Sequence, residues 1–267
     1  MLGTFVEIEA GGANEAELGC AVDAAFRAIG RVESLMSVHD PESELSRVNE
    51  GAAIHPVKVS AETFEVLRRG LELSRDSDGA FDFTVAPLLA RWGLLPAHLR
   101  RCRRGNWRDV LLLPRHRVRF AQPLAIDLGG IAKGHAVDAA IETLSDFKVS
   151  SALVNAGGDL RVFGSLDSDI HLRHPVHAHL LDRILKLRNA ALATSSPCFS
   201  ERRWRRSIVS HLVDPFKGRA VTGAISVSVR ARQCWLADAL TKIVLAAPKF
   251  GEHVLARHNA EAFILTA

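Results

Sequence analysis

Asp127, Lys133 and the two glycines between them carry the chain's densest chemistry, in Ala125-Ile-Asp-Leu-Gly-Gly-Ile-Ala-Lys-Gly-His-Ala-Val-Asp138. A short buried strand over Leu124 to Leu128 would deliver the carboxylate. Gly129 and Gly130 would let the backbone turn, and a helix would begin with Lys133 in its first turn. Free N–H groups at a helix start beside a lysine make a seat for phosphate. The spacing is neither Walker A nor GxGxxG, and the same residues equally describe a strand–turn–helix joint with a surface lysine.

Ala237-Asp-Ala-Leu-Thr-Lys242 puts Asp238 on one helix face with Thr241 at i+3 and Lys242 at i+4. A carboxylate and a hydroxyl side by side offer hard oxygens to Mg²⁺, which keeps several waters and takes few protein ligands. Without further context the pattern is a local Asp238–Lys242 ion pair. His211 stands three residues before Asp214, an imidazole that a carboxylate could orient as a general base. The turn Asn155-Ala-Gly-Gly-Asp-Leu-Arg161 lies between two expected strands and reads as a bulge or hairpin. His171, His174, His177 and His179 have metal-like spacing but no Cys or converging carboxylate, and read as a polar loop. Arginines crowd Trp107 between Arg100 and Arg119, and Trp204 between Arg202 and Arg206. Such stretches can grip phosphate and stack on a base, and so keep a nucleic-acid binder in play. Solvated faces or an anion-binding lip are the plainer reading.

The elements that must position these residues follow from periodicity. Thr4 to Glu9 alternates as a strand, and Leu18, Val22, Ala25, Phe26, Ile29 and Val32 recur at helical spacing between Asn14 and Leu35. A loop over 39–49 leads into a short helical turn, and a second helix spans Ala61 to Asp76, closed by Gly79. Val137, Ile141 and Leu144 carry the helix after the glycine pair. Strands are expected at 151–155, 159–163, 180–187 and 191–194, and a pair at 207–213 and 221–229 flanks the turn Asp214-Pro-Phe-Lys-Gly218. Helices near 234–246 and 248–257 and a strand over Ala262 to Leu265 close the chain. Helices and strands mix without strict βαβ alternation, which makes the fold class α+β.

Composition narrows the field further. Over 267 residues, 34 basic and 30 acidic side chains leave a formal charge of only +4, too little to mark a polyanion partner by itself. A charged fraction of 24% with 48% apolar residues excludes a disordered or collagenous chain. No apolar run nears the roughly 18 residues of a membrane span. Cys20, Cys102, Cys198 and Cys234 are far apart and form no CxxC pair, so neither a zinc site nor a disulfide framework is expected. The start MLGTFVEIEA has no basic, apolar or cleavage region. The expected location is therefore the cytoplasm, or the periplasmic side of the inner membrane if the natural start lies upstream.

Eight segments, in order, resemble the ApbE family of FAD:protein FMN transferases. Met1-Leu-Gly-Thr4 is similar to the family's Met-Gly-Thr, and Met36 to Asn49 to its MS-x-(Y/H)-DP-x-SE-x-S-x-x-N loop. Phe81 to Pro87 resembles FDPTVGP, Asp127 to Asp138 DLGGIAKGYAVD, and Asn155 to Arg161 NAGGDIR. Ala193-Thr-Ser195 resembles ATSG, His211 to Gly218 HxIDPxTG, and Ala237 to Thr241 ADALxT. The resemblance covers nearly the whole chain, as one domain over 1–267, and implies two intimately joined α/β subdomains with an FAD cleft between them. It also implies an enzyme that passes FMN from FAD to a threonine hydroxyl of a target flavoprotein, releasing AMP with the help of Mg²⁺.

By motif position, the resemblance assigns the metal to the Gly130 carbonyl, the Asp238 carboxylate and the Thr241 hydroxyl. Asp127 and Lys133 would hold the cofactor, and Met1, His39, Ala80, Phe81, Asp82 and Val213 would line the rest of its site. His211 would take the threonine proton with Asp214 orienting it. The chain departs from the family pattern at three places. It has no Tyr, and His39 stands where an aromatic usually stacks on flavin. Lys242 follows Thr241 where a metal-ligating threonine is common, so an ammonium there repels Mg²⁺ or takes over part of its charge. Ser196-Pro197 replaces a glycine near the acceptor entry. Two other outcomes stay open: hydrolysis of FAD to FMN and AMP, and flavin binding without turnover.

Overall fold

Asn14 starts the first long helix by accepting the N–H of Glu17 on its side chain, and the apolar stripe Ala21, Ala25, Ile29, Val32, Met36 keeps one face of that helix buried. The computed structural model describes every residue of the chain except Ala13, Leu166 and Ala178. In chain order the first half runs β1 (Val6–Gly11), α1 (Glu15–Met36), α2 (Glu44–Gly51), β2 (Val57–Lys58), α3 (Ala61–Asp76), α4 (Ala86–Arg91), β3 (Val110–Leu113), β4 (Arg117–Phe120) and α5 (Ala132–Ser145). The second half runs β5 (Ser151–Ala156), β6 (Asp159–Gly164), β7 (Ser168–Arg173), β8 (Leu181–Leu187), β9 (Ala191–Ser195), β10 (Arg202–Trp204), β11 (Ser207–Val209), β12 (Val213–Asp214), β13 (Arg219–Ala220), β14 (Ile225–Ala231), α6 (Cys234–Ala246), α7 (Pro248–Arg257) and β15 (Glu261–Thr266). The mixture is α+β, as its sequence pattern predicts.

Six strands form the main sheet in the order β1-β5-β6-β9-β14-β15, every pair antiparallel. β1 pairs along its length with β5, from Val6 opposite Ala156 to Gly11 opposite Ser151, so the start of the chain is built into the second half. α5 and α6 pack together and against this sheet, and α1 packs on α5. On the sheet, Leu160, Val162 and Leu192 meet Leu172 and Leu187 of the β7–β8 hairpin in a separate small cluster. The first half contributes α2, α3, α4 and a three-stranded sheet, β2-β4-β3.

Three expectations change in the structure. Leu124, Ala125, Ile126 and Leu128 are buried with half-buried Asp127 between them, but among the described residues the segment forms no ladder beyond a bridge between Leu124 and Arg103. Its backbone is satisfied from the side: Asn49 accepts the Ile126 N–H (2.8 Å) and donates to the Ile126 carbonyl (3.0 Å), while the Asp127 N–H reaches the Phe83 carbonyl (2.8 Å). An amide side chain presents the same donor and acceptor as a neighbouring strand. The long hairpin expected over 207–229 is broken into β11, the short β12–β13 hairpin and β14. The chain bends at buried Ser210, whose hydroxyl donates to the Val221 carbonyl (2.7 Å) and accepts from the Leu212 N–H (3.1 Å). Finally, His171 lies on β7 rather than in a loop, whereas His174 and His177 stack in the turn beyond it with ring centroids 5.2 Å apart. The glycine turn at 157–158 is the β5–β6 hairpin, with both residues at positive φ (+65° and +99°).

Candidate active site

Asp127 is held at the base of a cleft by the Asn49 and Phe83 contacts on its own backbone segment, and its Oδ1 accepts the Gly129 N–H (3.2 Å). Two chambers open from this point. One, of about 330 Å³, is lined among others by Ala80, Phe81, Asp82, Gly130, Val213 and Lys242. The other, of about 460 Å³, is lined by Val32, Met36, Val38, His39 and Leu95. Asp127, Gly129, Lys133 and His211 belong to both walls. A carboxyl, an ammonium and an imidazole therefore stand at the waist of a bipartite cavity with apolar ends.

The electrostatics of the waist are set by burial and by pairing. Burial pushes the Asp127 carboxyl up, against the opposing pull of the Gly129 N–H and of His39. Burial opposes the charge on Lys133, but the Asp159 and Asp238 carboxylates outweigh it and hold the ammonium protonated. Burial, together with Arg202 and His39, lowers His211 below the ordinary histidine value, so the imidazole is neutral near pH 7 and able to accept a proton. Burial also raises Asp82, whose Oδ1 takes the N–H (2.9 Å) and hydroxyl (2.8 Å) of Thr84.

Among the expected cofactor residues, His39, Ala80, Phe81, Asp82, Asp127, Lys133 and Val213 come together on these walls. Met1 does not. A Cβ on Gly30 would lie 3.0 Å from the Met1 Cε, so that side chain rests on α1, and its neighbours Leu2 and Gly3 line the second chamber instead. Asp214 does not orient His211. Its Oδ1 accepts the N–H groups of Phe216 and Lys217 (both 3.0 Å) and its Oδ2 pairs with the Lys217 ammonium (3.0 Å). Asp and Asn favour this arrangement in tight turns, and here it shapes the β12–β13 hairpin.

The metal set is likewise altered. Gly130 lines the first chamber, but Asp238 and Thr241 are fully buried beneath it. One Asp238 oxygen pairs with the Lys242 ammonium and the other accepts the Gly134 N–H (3.1 Å). Thr241 donates to the Asp238 carbonyl and shares a hydrogen bond with Ser195, both 2.7 Å. A divalent cation about 4 Å from an ammonium is repelled by about 8 kcal/mol at an effective dielectric of 20. These residues, as arranged, do not present a seat for Mg²⁺.

Two participants escaped the sequence reading. Asp159, fully buried at the start of β6, pairs with Lys133, and among the described residues its Oδ1 has no hydrogen-bond partner. Asn49 pins the backbone of Ile126, the residue before Asp127. Asp159 was visible only as the residue closing a glycine turn, and neither showed its distant partner. The arginine-rich stretches cover their own tryptophans: Arg108 lies 4.2 Å from the Trp107 ring centre and Arg205 4.6 Å from that of Trp204.

A family model described as the ApbE family matches residues 2–264, the span that contains every lining residue of both chambers. The chain belongs to the ApbE family. The FAD:protein FMN transferase of Vibrio cholerae is 28% identical over 233 residues, a match covering 80% of this chain and 69% of that protein. The crystal structure of the ApbE protein from Thermotoga maritima superposes with a TM-score of 0.86 at 26% identity, covering 99% of this chain and 92% of the other. The flavin transferase ApbE from Vibrio cholerae superposes at 0.80 and 25% identity, with 99% and 90% covered. The agreement spans both halves of this ApbE chain. Its departure at Lys242 therefore sits inside a shared frame of elements rather than in a rearranged one.

Proposed function

We infer that this ApbE chain transfers FMN from FAD to a threonine hydroxyl of a target flavoprotein, forming a phosphoester and releasing AMP. The observation that carries this reading is the waist shared by the two chambers: Asp127, Gly129, Lys133 and His211 stand between two separate, largely apolar spaces. A dinucleotide has the same layout, two ring systems joined by a pyrophosphate. The name its relatives carry, FAD:protein FMN transferase, matches that layout.

In the reaction, the threonine oxygen attacks the phosphorus on the FMN side. The bond from that phosphorus to the bridging oxygen breaks, and AMP leaves with the bridging oxygen. The threonine proton passes to a ring nitrogen of neutral His211, which borders both chambers. Transfers of this kind depend chiefly on alignment and on neutralising the phosphate charge, which Lys133 supplies. The Mg²⁺ expected from the family resemblance receives no step here, because both oxygens of Asp238 are already engaged.

The test is incubation of the purified protein with FAD and a flavoprotein domain carrying an acceptor threonine. In-gel flavin fluorescence reports labelling, and chromatography reports nucleotides. The expected result is a fluorescent target, AMP in equal amount, and no label on a Thr→Val target. FMN and AMP without label would replace transfer by hydrolysis. Intact FAD throughout would reduce the site to a binding module.

A further inference from the structure

Two fully buried carboxylates, Asp159 and Asp238, lie under the first chamber, and each holds one ammonium: Lys133 on Asp159, Lys242 on Asp238. The four charges cancel, so the carboxylates need no further cation to offset their burial. Lys242 reaches Asp238 along the wall of the glycine turn, since a Cβ on Gly130 would lie 3.7 Å from its Cε. Its side chain keeps 20% of its surface exposed, that of Lys133 keeps 33%, and both border the same chamber. An ammonium has three N–H donors, and each of these lysines commits one to its carboxylate. Among the described residues the remaining donors have no other acceptor, which leaves them to an anion above. The hydroxyl of Thr241, by contrast, is bonded inward to Ser195 and to the Asp238 carbonyl.

We propose that Lys242 acts with Lys133 to hold the pyrophosphate of FAD in the place a divalent cation would take, so that this chain binds its nucleotide without metal. The inference rests on the FAD reading above. A lysine provides a point charge on a flexible stem, suited to follow a phosphate without fixed coordination geometry. Two such groups on one side of the glycine turn would polarise the phosphate oxygens from the position where Asp238 alone would otherwise require a metal.

The experiment is FAD binding to the whole protein, followed by flavin fluorescence, in EDTA and again in millimolar Mg²⁺. The expected result is one affinity in both conditions. Lys242→Thr removes the ammonium and frees the Asp238 oxygen. It should weaken FAD in EDTA by about tenfold or more, with recovery when Mg²⁺ is added. If that variant does not fold, the wild-type comparison still decides, joined by the double variant Lys242→Met with Asp238→Asn. That variant removes both charges of the pair and should lose affinity with no response to Mg²⁺. Wild-type binding that disappears in EDTA and returns with Mg²⁺ would overturn the lysine proposal while leaving the FAD reading intact. Absence of FAD binding in every condition would overturn both.

Discussion

Asp138 of α5 accepts the N–H groups of Cys234 (2.9 Å) and Trp235 (2.8 Å) at the start of α6, while Asp238 of α6 accepts the Gly134 N–H (3.1 Å) at the start of α5. Each helix thus receives its N-terminal cap from the other, and neither α5 nor α6 has a cap from its own preceding residue. A carboxylate at a helix start also meets the positive end of the helix dipole. The exchange locks the Lys133 and Lys242 stems into one frame, because each lysine sits within a few residues of a capping acid. Asp138 is buried and also takes the Arg161 guanidinium (2.7 Å). Asp138→Ala therefore leaves two N–H groups and a cation without partners. It should lower the unfolding free energy by about 3 kcal/mol or more, measured by denaturant titration. A change under about 0.5 kcal/mol, the range of ordinary surface substitutions, would refute the reciprocal cap.

Glycine at 134 permits that crossing. A Cβ there would stand 2.3 Å from the Cys234 carbonyl oxygen, a backbone atom that cannot swing aside. Gly134→Ala should cost about 3 kcal/mol, the upper part of the overpacking range, and weaken FAD binding by shifting Lys133. Gly19 on α1 is the control: a methyl group added there would meet nothing within 4 Å. Gly19→Ala should stabilise by up to about 1 kcal/mol through helix propensity. Opposite shifts in the denaturation midpoint would establish that contact, rather than glycine content, decides the first effect.

If His211 is the proposed base, it should set the pH dependence of transfer. Burial, Arg202 and His39 all disfavour its charged form. The base-competent neutral imidazole should dominate at pH 7 and be lost only on acidification below about pH 6.5, the unperturbed histidine value. The rate of FMN transfer should fall on that acid limb. His211→Gln should lower the rate by about a hundredfold or more and remove the limb. Asp214→Asn should leave the limb where it is, since its carboxylate contacts the Phe216 and Lys217 amides and the Lys217 ammonium. A shifted limb in Asp214→Asn would restore the orienting role that the sequence alone suggests.

The pairing of Lys133 with Asp159 and its proposed hold on FAD separate experimentally. Lys133→Met removes the ammonium from fully buried Asp159 and should destabilise the fold by about 3 kcal/mol. Adding Asp159→Asn removes the stranded charge and should return most of that stability. FAD affinity should stay low in both, because the cleft has lost a cation in each. Calorimetric melting and flavin fluorescence on the same samples distinguish the two. Recovery of FAD affinity in the double variant would reduce Lys133 to a structural counter-ion.

The helices were legible where their signals are local. Asn14 before an apolar stripe gives α1, and α3, α6 and α7 start and stop at the positions their periodicity indicates. The glycine turn at 157–158 is the hairpin its residues suggest. The short strands around 207–229 were not legible, because Ser210 replaces ladder bonds with its own hydroxyl, a choice that depends on Val221 eleven residues away. Likewise Leu124 to Leu128 has a strand's composition, but Asn49, 77 residues from Ile126, takes the place of a neighbouring strand.

The amino-acid sequence by itself determined the family, the α+β class and which residue types gather around the cleft: His39, Phe81, Asp127, Lys133 and His211 all reach its walls. Tertiary structure alone decided which of them have a partner already. Lys133 meets Asp159 across 26 residues and Asp238 meets Gly134 across 104. Spacing along the chain measures only neighbours on one element, such as Asp238 and Lys242 on a single helix face. Whether a carboxylate is free to hold a cation depends on every donor that packing brings to it, and at Asp238 both oxygens are taken by donors of the chain itself.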